Sequence, residues 1–165
     1  MVEDYSARSV FVINIDDLIC RSILGFTIEK FKLLKLLDFS IAPLDYIPRE
    51  VGKLCFLKSL NLRNTKVKML PKSIGKLHNL HLVNTHIHNL PIEINKLRNL
   101  RHLLVFHHDH ATGYGYGAFR GLRTHEGIGH FVELQTLTNV EAYHHHGFSL
   151  VKELETMSQL RWLCI

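Results

Sequence analysis

The chain has 165 residues, 46% of them apolar, which suits one globular domain. It contains no run of about 18 apolar residues, and its start, "MVEDYSARSV", lacks a signal-peptide profile, so nothing reads as membrane-spanning or as a leader. The net charge of +5 is dispersed (Lys53, Lys58, Lys66, Lys68, Lys72 and Lys76 are examples), which reads as a solvated surface with no nucleic-acid partner expected.

In chain order, "ARSVFVI" sets Val10 and Val12 two apart, the spacing of a strand with one buried face. It reads as the first, degenerate unit of a repeat. In the second, "LLDFSIAPLDYIPREVGKL" (36–54), Leu37 and Phe39 alternate, and Ile47-Pro48 precedes Val51 and Leu54. The third runs through Leu57, Leu60, Leu62, Asn64-Thr65, Val67, Leu70-Pro71, Ile74 and Leu77. The fourth is "LHLVNTHIHNLPIEINKL" (80–97). By spacing, Leu80 matches Leu60, Leu82 matches Leu62, Thr85 matches Thr65, and Leu90-Pro91 matches Leu70-Pro71. Leu100, Leu103 and Val105 open a fifth unit. Leu134 and Leu137 open a sixth, with Asn139 where a third apolar residue is expected, and Leu160, Leu163 and Ile165 a seventh.

Pro48, Pro71 and Pro91 are 23 and 20 residues apart, a period that signals a solenoid. Each unit then joins a short strand of period two to a return segment with helix-like spacing, and stacking buries an apolar face that no unit could bury alone. The expected fold is an α/β repeat solenoid covering 1–165. A curved parallel sheet would lie on its concave side and short helical or irregular return segments on its convex side, with an insertion over about 107–127. Proline lacks a backbone N–H and fits the start of each return segment.

Alternation places Leu60, Leu62, Leu80, Leu82, Leu103 and Leu137 inside. It places Ser59, Asn61, Arg63, Asn79, His81 and Val83 on the concave face. His102, Leu104 and Phe106 extend that face into the next repeat. Ser59, Asn61, Arg63, His81, Val83, His102, Leu104 and Phe106 are therefore the candidate protein-binding surface. Cys55, beside Phe56 and Leu57, is expected in or near the core.

Other chemistry finds little support. Thirteen histidines include "HHDH" (107–110) and "HHH" (144–146), besides His81, His86 and His88. Adjacent loop residues rarely converge on one ion, and no H-E-x-x-H or C-x-x-C spacing accompanies them. They read as solvated loops with no metal ligand assigned, although a metal-dependent module on these loops remains an alternative. "GYGYGAFRG" (113–121) is not set between a strand and a helix as a dinucleotide site requires, so no cofactor is expected. Tyr114, Tyr116 and Phe119 on that loop could face a partner. Ser73, Ser149 and Ser158 have no nucleophile motif around them. Asp16-Asp17 and Glu153-Glu155 show no partner, and no enzyme activity is expected. Three widely spaced cysteines (Cys20, Cys55, Cys164) argue against a disulfide framework, and no Asn-x-Ser/Thr acceptor occurs, so a cytoplasmic setting is expected.

The strings "LRNTKVKMLPKSIGKL", "LPIEINKLRNLRHLLV" and "GIGHFVELQTLTNVEA" resemble the leucine-rich-repeat region of plant intracellular nucleotide-binding leucine-rich-repeat disease-resistance proteins, nearest the coiled-coil class. The resemblance covers about residues 8–165. Thr65 and Thr85, the Leu-Pro steps and the Val-Glu-Ala step at 140–142 carry it. It implies a role in recognising a partner, such as a pathogen effector, a guarded host protein or the receptor's own switch domain, and in restraining that switch. No G-x-x-x-x-G-K-[ST] occurs, so nucleotide binding is not carried over. The chain stops inside a repeat, on the apolar "LRWLCI", and so reads as a fragment or truncated product, with self-association expected through uncapped ends. Family copies carry three more residues where Leu80 stands, which implies a tighter return segment in the repeat from 71 to 91. A free-standing intracellular repeat scaffold is the alternative reading.

Overall fold

The computed structural model describes residues 6–13, 15–85, 87, 90–105, 127–140 and 147–165. Among these residues seven short parallel strands form one sheet in sequence order: β1 (Ser9–Phe11), β2 (Leu36–Asp38), β3 (Ser59–Asn61), β4 (His81–Thr85), β5 (His102–Val105), β6 (Thr136–Leu137) and β7 (Trp162–Leu163). Consecutive parallel strands need a crossover connection, which the return segments between them supply where they are described. The architecture is the expected solenoid.

The leucine pattern does the packing. Leu37, Leu60, Leu82, Leu103 and Leu137 pair across neighbouring strands, and all are buried. Leu62 and Leu80 are fully buried as well. Behind the sheet lie Val51, Leu54, Ile74, Leu77, Ile94 and Leu97, one layer per repeat. The return segments Arg49–Lys53, Lys72–Lys76 and Ile92–Lys96 are 3-10 helices, each preceded by its proline at φ between −69° and −66°. The ring presets the dihedral that starts the turn, and the missing N–H costs nothing there. Adjacent return segments stack so closely that a Cβ on Gly75 would run into the Glu93 carbonyl oxygen.

The first return segment differs. It is a full α-helix, α1 (Asp17–Lys30), which the sequence reading did not anticipate. Asp16 caps it, its Oδ1 accepting from the Ile19 N–H at 2.9 Å, and Asp17 pairs with Arg21 at 3.1 Å. Both acids thus have partners, contrary to expectation. The helix buries Cys20, Leu24, Thr27 and Ile28 on one face. A second helix, α2 (Gly147–Glu155), returns from β6 to β7.

Cys55 corrects a further expectation: it is exposed. Burial here falls on every third residue (Leu54, Leu57, Leu60), so Cys55 and Phe56 turn outward.

The short repeat is also arranged differently from expectation. Its return segment is not tighter. Leu57, Leu80 and Leu100 each lie nine positions after their prolines, Pro48, Pro71 and Pro91. The Leu80 N–H donates to Leu77 O at 2.9 Å, just as Leu57 donates to Leu54 O and Leu100 to Leu97 O. Leu80 therefore corresponds to Leu57, and Leu82, which pairs with Leu60, corresponds to Leu60. One of the missing residues falls between Leu80 and Leu82, at the entrance to β4, and the other two between Leu82 and Pro91. β4 then carries a bulge. Leu82 pairs with Leu103 but Thr85 with Val105, so Val83 and Asn84 oppose Leu104 alone.

Candidate functional site

On the face of the sheet turned away from the core, several of the candidate residues stand in two rows. Ser59, His81 and His102 form one, because Ser59 pairs with His81 and Leu82 with Leu103. All three are half-buried. The His81 and His102 rings meet edge to face, 5.4 Å between centroids, and His102 Nδ1 lies 3.2 Å from Thr136 Oγ1. The second row holds Asp38 and Asn61, and Val83 is the backbone partner of Asn61 on the next strand, its side chain lying outside the described residues. There Asn61 Nδ2 donates to Asp38 Oδ2 at 2.9 Å, and Asn61 Oδ1 accepts from the Arg63 N–H at 3.1 Å. Asn61 is thus held by neighbours, whereas the Arg63 side chain is exposed. Leu104 is half-buried, opposite the bulge. Asn79 is exposed just before the fourth strand and accepts from Asn99 Nδ2 at 3.0 Å.

Phe106, the "HHDH" and "HHH" clusters, His86, His88, the 107–126 stretch with Tyr114, Tyr116 and Phe119, and the Glu141-Ala142 step lie outside the described residues. Among the described residues no group of three or more His, Cys, Asp and Glu side chains is placed to hold a metal ion.

A hollow of about 420 Å³ opens where the shortened repeat enters the sheet, lined by Lys58, Asn79, His81, Asn99, Arg101 and Glu133. Its cause is visible in the backbone. In the other repeats the residue before each strand offers its carbonyl to two N–H groups of the next repeat. Lys35 O accepts from Lys58 and Ser59 at 2.7 and 3.0 Å, and Arg101 O from Gln135 and Thr136 at 2.8 and 3.1 Å. The fourth repeat lacks that residue. Lys58 O accepts from His81 alone of the pair, at 2.7 Å. The Arg101 N–H donates instead to His81 Nδ1, at 3.2 Å. Burial, then His102, Arg101 and Lys58, push the His81 pKa below its ordinary 6.5.

Lys58, Asn99, Arg101 and Glu133 were not among the expected site residues. One signal could have found the basic pair: Lys35, Lys58, Arg101 and Arg161 each stand two residues before a strand leucine.

Glu153 also has partners that its spacing did not reveal. Its two carboxylate oxygens accept from the Gly127 N–H at 2.9 and 3.0 Å, and one accepts from Gly129 at 2.9 Å. It fastens α2 to the 3-10 turn Ile128–His130 and has a structural role.

The model of a leucine-rich-repeat region matches residues 6–165. This chain belongs to the leucine-rich-repeat family. No curated protein matches it significantly. Among solved structures, a leucine-rich-repeat protein of Leptospira interrogans is 27% identical with a TM-score of 0.61, over 82% of this chain and 32% of that one. The plant peptide hormone receptor RGFR1 in complex with RGF2 is 21% identical with a TM-score of 0.57, over 84% of this chain and 21% of its own. The leucine-rich-repeat ectodomain of an Arabidopsis thaliana membrane receptor kinase, solved with Casparian strip integrity factor 2, is 21% identical with a TM-score of 0.56, over 79% and 15%. The two plant receptors share the fold with this leucine-rich-repeat chain. The chain spans a third or less of the length of each structure. The family is an interaction scaffold and indicates no enzyme class. No helix among the described residues is long and apolar enough to cross a membrane.

Proposed function

We propose that this leucine-rich-repeat chain is the recognition and autoinhibitory repeat region of a plant intracellular nucleotide-binding immune receptor. It works in the cytoplasm by meeting a protein with the open face of its sheet. The observation that carries the surface assignment is the row Ser59–His81–His102 with exposed Arg63 beside it: polar and cationic side chains stand on the one face the core does not use. Arg is a favoured anchor of protein interfaces. The receptor class rests on the motif resemblance, in particular the Leu-Pro steps at 70–71 and 90–91 and Thr65. That threonine is buried, and its hydroxyl donates to Leu62 O at 2.8 Å, closing the turn after the strand.

On this reading the chain is one repeat domain of a longer protein, and its partner is an effector, a guarded host protein or the receptor's own switch domain. The test is made in the full receptor. Ser59→Arg with Arg63→Glu should change autoactivation or recognition while protein abundance stays constant. Signalling equal to the parent would refute the surface assignment. A transcript with no nucleotide-binding domain upstream of the repeats would refute the receptor class and leave a free-standing scaffold.

A further inference from the structure

The hollow beside His81 is cationic. Lys58 and Arg101 line it from the third and fifth repeats, and neither makes an ion pair among the described residues. Among the described residues Glu133 is the one acid in the lining. Because His81 Nδ1 accepts from the Arg101 backbone, the neutral ring carries its proton on Nε2 and keeps a donor there. The amides of Asn79 and Asn99 are joined by one hydrogen bond, Asn99 Nδ2 to Asn79 Oδ1, so each retains further donor capacity. The hollow therefore combines two permanent cations with several neutral donors.

We infer that it takes the carboxylate side chain of an acidic peptide segment laid across the open face of the sheet. The inference rests on the reading that this face meets a protein, and it names that partner's chemistry. Four observations support it. Charge complementarity favours an anion. The position is right, since His81 belongs both to the hollow and to the row Ser59–His81–His102, so a chain crossing that row passes the opening. The volume, about 420 Å³, admits an Asp or Glu side chain. With Glu133 beside Lys58 and Arg101 the charged side chains of the lining nearly balance, and a single carboxylate neutralises the excess positive charge where a phosphate dianion would overshoot it.

The hollow also coincides with the missing residue. Where the pre-strand residue is present, its carbonyl occupies the N–H groups of the following repeat. At β4 that residue is missing, and the two flanking repeats bring their basic side chains to the gap.

The test uses the whole chain and three labelled six-residue peptides read by fluorescence anisotropy in 0.1 M salt. One alternates Glu with Ser, one has Gln in place of Glu, and one has phosphoserine in place of Glu. At that ionic strength charges more than about 10 Å away are largely screened. The Glu peptide should bind about tenfold more tightly than the Gln peptide, and Lys58→Glu with Arg101→Glu should weaken it about tenfold or more. Lys53→Glu with Arg98→Glu makes the same change in net charge at other exposed positions and should weaken it less than about threefold. Lys58→Gln with Arg101→Gln repeats the test should the charge reversal unfold the chain. Equal losses in the two double variants, or no binding of the Glu peptide, would overturn the inference. Preference for the phosphoserine peptide would overturn the carboxylate assignment in favour of a phosphopeptide. Equal binding of Glu and Gln peptides, both lost in Ser59→Arg, would overturn the hollow while leaving the open face as the binding surface.

Discussion

The backbone N–H of Arg101 donates to the Nδ1 of His81, 3.2 Å away. A side-chain nitrogen thus stands in for a carbonyl that the neighbouring repeats supply from their backbones. The substitution marks the place where the fourth repeat has lost a residue, and it draws a titratable ring into the hydrogen-bonding of the sheet.

A pH dependence follows. The folded-state pKa of His81 lies below the unfolded value of 6.5, so between the two the unfolded chain binds a proton that the folded chain does not. The stability due to the neutral ring is fully present above pH 6.5 and is lost as pH falls through the folded pKa. Urea midpoints measured from pH 7.5 downward should fall more for the parent chain than for His81→Gln. Parallel curves would show that His81 makes no such contribution.

Ile41 has φ 65°, in the left-handed region, at the place where the next repeat has Asn64 at φ 55°. A β-branched residue is strained there, whereas Asn tolerates it. Ile41 is 62% exposed and so gives little to the core. Ile41→Asn should stabilise the chain by about 1 kcal/mol, read as a higher denaturation midpoint. An unchanged or lower midpoint would deny the strain.

Two glycines should respond in opposite directions. Gly75→Ala meets the Glu93 backbone of the next return segment and should cost about 2 kcal/mol or more. Gly25 lies within α1 with nothing near its missing Cβ, and Gly25→Ala should add about 0.5–1 kcal/mol through helix propensity. Thermal melts of the two variants should therefore shift in opposite senses.

Glu153 and Glu155 offer a matched pair. The Glu153 carboxylate accepts from two backbone N–H groups, whereas Glu155 is exposed. Glu153→Ala should cost about 2 kcal/mol, as for hydrogen bonds to a charged group, and Glu155→Ala under about 0.5 kcal/mol. Equal effects would remove Glu153 as the fastener of α2.

The buried leucines and the three prolines were legible because a two-residue strand period and a turn that needs no N–H leave direct marks in sequence. Helix α1 was not. Its exposed Leu18, Ile19 and Phe26 spread apolar residues around the whole surface and hide the stripe of Cys20, Leu24 and Ile28. The fourth repeat misled for a different reason. Leu80-His81-Leu82 spells the same alternation as Leu60-Asn61-Leu62, whereas the hydrogen bond from Leu80 to Leu77 and the pairing of Leu82 with Leu60 show that Leu80 belongs to the turn before the strand. The hollow could not be read from spacing alone, since Lys58, His81 and Arg101 come from three repeats and meet only once the register of β4 is known.

That register is tested most directly at the His81 ring, by its nitrogen resonances in a long-range proton–nitrogen NMR spectrum followed with pH. The predicted result is a neutral ring protonated at Nε2, with Nδ1 bare and accepting from Arg101, that titrates below 6.5. A ring protonated at Nδ1, or one titrating at or above 6.5, would contradict this register and the hollow built on it.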